Sequence, residues 1–295
     1  MSRKFGWALA SVVALGVAGV SSAQAADLPV KAPPPPPAPV WNWTGFYIGG
    51  SVGGIWNDTR ADVFPTGCFL NTAPGTGCGG AGPGLSGVAA NPIRSDSVRF
   101  NDGRFIGGGQ AGYNWQAGKW VFGVEGDISW TGINQTIATS KTMTPPLAGF
   151  MLHTEAMKQD WLATLRGRAG VTVTPNFLLY ATGGLAIAHV QTAGAVAFTV
   201  TPDLYGGSND ETRAGWTVGG GGEWMITPNW SVKAEYLFVD LGKQSVNLPC
   251  LNTGICGSPP QPAPGASYQT DFHFREHVAR VGLNYHFGGP IVAKY

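Results

Sequence analysis

The chain has 295 residues, enough for one large core or one closed barrel, and 18 Lys and Arg against 17 Asp and Glu leave a net charge of +1. A charged fraction of only 12%, alongside 45 Gly and 11 Trp, excludes a solvated disordered chain, which needs high net charge. No basic block is present to meet a phosphate backbone, so nucleic acid is excluded as a partner.

The N-terminus reads as a secretory signal over 1–25: Arg3 and Lys4 are positive, 8–20 is apolar, and Ala23-Gln24-Ala25 is a small-x-small cleavage site. An uncleaved membrane helix would need about 20 apolar residues, and this run is shorter. A stretch over 26–40 follows, with five consecutive prolines from Pro33 to Pro37, and is expected to form an extended polyproline II spacer in the periplasm.

From 41 to 287 one pattern recurs: a segment of period-two alternation, aromatic at its ends and glycine-rich in its middle. The segments are 46–56, 104–115, 120–130, 160–173, 177–189, 212–224, 230–239 and 277–287, and their lengths suit tilted membrane strands of roughly 9–11 residues. Tight turns at 116–119, 174–176 and around 227–229 alternate with long connections at 57–103, 131–159, 190–211 and 240–276. Short turns at one end and long loops at the other predict an all-β, eight-stranded antiparallel up-and-down transmembrane barrel with four extracellular loops. A soluble sandwich would carry short turns at both ends.

Parity assigns the faces. In the third segment Trp120, Phe122, Val124, Ile128 and Trp130 share one face, and Glu125 and Asp127 share the other. The fourth, sixth, seventh and eighth segments likewise set Arg166 and Arg168, Glu223, Lys233 and Glu235, and Arg280 against the aromatic face. A charge facing lipid at mid-depth costs about 2–4 kcal/mol, so these eight residues are expected in the lumen as a paired network of four acids and four bases. In the second segment, FIGGGQAGYNW (105–115), the same parity turns Phe105, Tyr113 and Trp115 outward with Gly107, Gly109 and Ala111, and turns Arg104, Gln110 and Asn114 inward. Its G-x-G-x-x-G spacing needs a following helix to hold a dinucleotide, and a further strand follows instead.

Two other motifs are weighed against catalysis. HFREH (273–277) fits a metalloprotease pattern only on a helix; in a strand the two imidazoles stand roughly 13 Å apart, too far for one metal. His153, His189 and His286 are tied by no motif to a serine and a carboxylate. No catalytic residue, metal or cofactor is therefore expected. The four cysteines fall as two close pairs in Gly- and Pro-rich connections, and disulfides Cys68–Cys78 and Cys250–Cys256 are expected in an oxidising compartment; their spacing is not that of a zinc site.

The stretches WTGFYIGG (43–50), GGGQAGYNWQ (107–116), GVEGDIS (123–129), TLRGRAG (164–170), LLYATGGLA (178–186), GWTVGGGGEW (215–224), KAEYLFVDLG (233–242) and RVGLNYHF (280–287) span most of the chain after the signal. On these the sequence resembles the small eight-stranded outer-membrane β-barrels of alphaproteobacteria, the outer-membrane immunogenic or porin-like family. The resemblance implies the outer membrane of a Gram-negative bacterium, periplasmic termini, surface loops and assembly by the barrel-insertion machinery, which reads an aromatic C-terminal strand. Phe287 is taken as that aromatic, with Tyr295, at the end of a tail over 288–295, as the alternative. The partners expected are outer-membrane lipid and lipopolysaccharide, with peptidoglycan or a host surface as further contacts.

An eight-stranded barrel is just wide enough to fill with side chains. The function expected is structural: a side-chain-plugged barrel that supports the envelope and displays its loops. The alternative is a narrow channel for water, ions or very small solutes.

Overall fold

The computed structural model describes residues 41–66, 95–143, 149–199, 204–252 and 267–287. The signal segment, the proline-rich stretch, the tail after Phe287, and Cys68, Cys78 and Cys256 lie outside them. Cys250 is disulfide-bonded.

Eight strands follow in order: β1 (Gly45–Thr66), β2 (Asp96–Ala117), β3 (Trp120–Met143), β4 (Gly149–Thr174), β5 (Phe177–Phe198), β6 (Leu204–Thr227), β7 (Trp230–Pro249) and β8 (Ser267–His286). Each pairs antiparallel with its neighbour in sequence, and β1 also pairs with β8, so the sheet closes into a barrel. Closure is what lets a sheet stand in lipid, because an open edge would leave backbone N–H and C=O groups without partners. Phe287 continues the ladder one residue past β8, its N–H donating to the Phe46 carbonyl at 2.9 Å. Two-residue turns at 118–119, 175–176 and 228–229 join β2 to β3, β4 to β5 and β6 to β7 at one end. Gly118 holds φ 64° in the first of these, a backbone state that a side chain would strain.

The parity read from the sequence separates lipid from lumen. Trp120 is 58% and Trp130 66% exposed, whereas Glu125 between them on the same strand is 3% exposed. The strands are longer than expected, running from 20 residues in β7 to 26 in β4. Parts of the four long connections are therefore barrel wall, and the wall rises beyond the membrane on the side opposite the tight turns.

The reason is a reversal of what parity means. Inside the bilayer the apolar residues face out. Above it the wall stands in water, so Ala61, Val63, Phe100, Ile133, Phe272 and Phe274 turn inward and are buried, while Arg60, Arg99 and Arg275 turn outward. The alternation never stops, but its polarity inverts. Register shifts between Gln159 and Trp161 and between Asp240 and Gly242 fall near this boundary. In β4 the first moves the buried positions from Met157 and Gln159 to Leu162 and Thr164.

Arg104 keeps the inward parity, opposite the buried Ile55, but is not enclosed. The Arg104 side chain is 44% exposed and pairs with Asp102 at 2.5 Å. The lumen at this level is lined by Ile55 and Ile106, both buried, and apolar walls offer a guanidinium no counter-charge.

Candidate functional site: a layered lumen

Three layers of side chains stack in the barrel. At the periplasmic end Trp43, Val121, Leu178 and Met225 form a small apolar cluster with Tyr180. Trp43 precedes β1 and is fully buried. Its backbone N–H donates to Gln116 Oε1 at 2.9 Å, and its indole Nε1–H to the Pro175 carbonyl at 3.2 Å, which ties it to two of the tight turns.

The charged layer comes next and contains all eight residues singled out by parity. Arg166 is its hub, reaching Glu125 at 2.5 Å, Asp127 at 2.9 Å and Glu235 at 3.1 Å. Arg280 meets Asp127 at 2.8 Å and Glu235 at 2.6 Å. Lys233 meets Glu125 at 2.8 Å and Glu235 at 3.4 Å. Arg168 meets Glu223 at 2.7 Å. All eight are at least 93% buried, so each carboxylate is compensated by bases rather than by bulk water.

Neutral groups complete the layer, and of these Tyr47, Tyr180 and Ser231 were not singled out from the sequence, whereas the parity of the eighth segment sets Asn284 inward with Arg280. Tyr47 donates its hydroxyl to Glu125 Oε2 at 2.7 Å and accepts from Arg168 Nη1 at 3.1 Å. The Tyr180 ring lies under the Arg168 guanidinium, 3.9 Å from carbon to ring centre, and its hydroxyl donates to Glu235 at 3.1 Å. Ser231 Oγ and Asn284 Nδ2 donate to Glu223 at 2.6 and 2.8 Å. The missed signal was parity again: Tyr47 alternates with Phe46 and Ile48, and Tyr180 with Leu179 and Ala181.

The third layer, toward the extracellular end, is a continuous apolar core that includes Ile55, Phe100, Ile106, Leu162, Leu237 and Phe272. Glu155 is buried beside it. Its Oε1 accepts from Thr270 Oγ1 at 3.1 Å, and among the described residues no base pairs with it. Burial pushes the Glu155 carboxyl up to about 8 from an ordinary 4.5, with the Thr270 hydrogen bond opposing the shift. A folded-state value above the unfolded one gives stability that is complete below about 4.5 and is lost as pH rises through about 8. The thermal midpoint for loss of the compact electrophoretic form should therefore fall as pH rises from about 4.5 to about 8, and Glu155→Gln should flatten that slope. A slope unchanged in the variant would refute the assignment.

The histidines are scattered. His273 and His277 lie in β8, a strand rather than a helix, and pair across to Lys243 and Phe238 of β7. His153 Nε2 contacts both Thr139 Oγ1 at 2.5 Å and Asp96 Oδ2 at 2.9 Å. A hydroxyl relay needs its base to use one ring nitrogen for the hydroxyl and the other for the carboxylate; here one nitrogen serves both. His189 faces Asp210 at 3.2 Å, and His286 accompanies Ser231 at 2.9 Å in the lumen.

The family described as outer membrane protein beta-barrel domain matches residues 11–287. The chain belongs to that outer-membrane β-barrel family. A 31 kDa outer-membrane immunogenic protein of Brucella melitensis is 34% identical over 289 residues, which cover 95% of this chain and 98% of that protein. A 22 kDa outer membrane protein of Rhizobium leguminosarum is 32% identical over 143 residues, 48% of this chain and 56% of its own length. Among solved structures, the outer membrane protease OmpT of Escherichia coli is 11% identical, with 84% of this chain and 98% of that chain covered and a TM-score of 0.42. Like these outer-membrane relatives, this family member resides in the outer membrane of a Gram-negative bacterium.

Proposed function

We propose that this barrel is a closed-lumen structural protein that supports the envelope and displays its extracellular loops. The observation that carries the reading is the layered filling: a compensated charge layer between an apolar cluster below and an apolar core above. Ions crossing such a lumen must break short, buried ion pairs, which is unfavourable by several kcal/mol, and then pass a packed region in which apolar side chains predominate. Insertion by the barrel-assembly machinery, with Phe287 as the terminal aromatic, fits the ladder that runs through that residue. Loop contacts with a host surface, and peptidoglycan contact through the proline-rich stretch, belong to the same reading.

Planar-bilayer recording tests it. The purified barrel is expected to give no steady single-channel openings. Openings whose conductance changes in Arg166 or Phe272 variants would replace it with the narrow-channel reading.

A further inference from the structure

On the outer face, just beyond the extracellular aromatic belt, four basic residues stand in line. Lys243 of β7 is opposite His273 of β8, His273 is opposite Arg60 of β1, and Arg60 is opposite Arg99 of β2. Like charges directly opposite one another, as Arg60 and Arg99 are, destabilise a sheet, so this row is unfavourable for the barrel by itself. The carboxylate beside it does not settle the account: Asp62 is shared between Arg60 at 2.7 Å and His273 at 3.9 Å. Asp271, next along β8, keeps its charge but is held by Ser245 and Gln269, each at 2.7 Å, and among the described residues pairs with no base. Among the described residues neither Arg99 nor Lys243 has an ion pair. An anion arriving from outside would relieve the repulsion.

Toward the membrane, these same four strands carry a hollow of about 650 Å³ lined by Gly50, Val52, Gly107, Val281 and Leu283, with Trp130 at its side. The glycine at its floor is not imposed by packing. A Cβ on Gly50 would meet nothing closer than 3.6 Å, whereas one on its lumen-facing neighbours Gly49 or Gly53 would strike backbone at 2.3 or 2.1 Å. The fold requires Gly49 and Gly53 but leaves room for a side chain at Gly50, where the glycine keeps the hollow open. From Val52 to Arg60 the strand rises roughly 26 Å, which on a tilted strand is about one leaflet of the bilayer.

We propose that this face, β7–β8–β1–β2, holds one phosphorylated, acylated lipid of the surrounding leaflet. The basic row grips the phosphate, and the hollow takes an acyl chain. The inference rests on the outer-membrane placement and is independent of whether the lumen is closed.

The test uses the full-length barrel, delipidated in detergent and offered lipid A, with bound lipid counted by native mass spectrometry. Wild type is expected to retain lipid A. Arg60→Gln/Arg99→Gln should retain about tenfold less, as the loss of two charge-assisted contacts predicts. Gly50→Leu, which fills the hollow, should also lower retention, whereas Lys158→Gln on β4, across the barrel, should not. Electrophoretic heat-modification confirms that each variant is folded, and Lys243→Gln/His273→Gln replaces the first pair if that one does not fold. Equal retention by wild type and the basic-row variant overturns the proposal. So does full displacement by inorganic pyrophosphate together with normal retention by Gly50→Leu, because the row would then be a site for free phosphate.

Discussion

Arg166→Ala is expected to lower barrel stability by about 3–5 kcal/mol, the range found when one partner is removed from a buried charge network. The guanidinium touches Glu125, Asp127 and Glu235, so its loss strips a counter-charge from three buried carboxylates at once. Lys233 still serves Glu125, and Arg280 still serves Asp127 and Glu235, which limits the damage but leaves four acids facing three bases. Lys at this position should recover only part of the loss, because an ammonium cannot present the two-pronged donor set that spans these carboxylates. The measurement is the urea midpoint for refolding into lipid vesicles, read with the heat-modified band on gels. A midpoint within error of wild type would show that the layer contributes no stability.

Two adjacent glycines should behave oppositely, and the contrast is the second large effect. Gly184 lies on the lumen parity of β5, where an added Cβ would sit 2.1 Å from the Leu165 carbonyl and 2.7 Å from the Arg166 Cα. Neither atom can move without shifting β4, the strand that carries the hub arginine, so Gly184→Ala is expected to destabilise by about 1–3 kcal/mol or more. Gly183 faces lipid, and its Cβ would come no closer than 3.5 Å, to the Thr217 carbonyl. Gly183→Ala is expected to be neutral or slightly stabilising, since alanine restricts the unfolded chain. The same urea titration distinguishes them. Equal midpoints for the two variants would mean that the barrel absorbs a lumen Cβ by local adjustment.

The sequence made the ring and the charge layer legible because membrane strands obey two strong rules together. Period-two alternation marked each strand, and the cost of a charge in lipid placed Glu125, Asp127, Arg166, Arg168, Glu223, Lys233, Glu235 and Arg280 on a single side. The extracellular half of the wall obeyed only the first rule. There, apolar residues such as Phe272 and Phe274 turn inward and Arg275 turns outward, so a reader looking for aromatics on the outside sees loops. Parity set Arg104 on the inner face correctly, but could not show that its side chain stays 44% exposed beside Asp102, above the buried charge layer. Trp43 was invisible as a plug because it precedes β1, where no alternation exists to say which way a side chain points.

The charge layer also bears on how the ring closes. The first four strands contribute Glu125, Asp127, Arg166 and Arg168, and the last four contribute Glu223, Lys233, Glu235 and Arg280, so the two halves of the chain each bring a neutral set to this layer. Four of the contacts nonetheless run between halves: Arg166 to Glu235, Arg168 to Glu223, Lys233 to Glu125 and Arg280 to Asp127. Two half-sheets can thus approach without net repulsion, yet the second cannot complete its own ion pairs, because the only Arg or Lys among the described residues that meets Glu223 is Arg168 of the first. The joining of β1 to β8 is therefore coupled to expulsion of water from the centre, and a half-built or wrongly joined sheet is marked by charges that only the correct seam can satisfy.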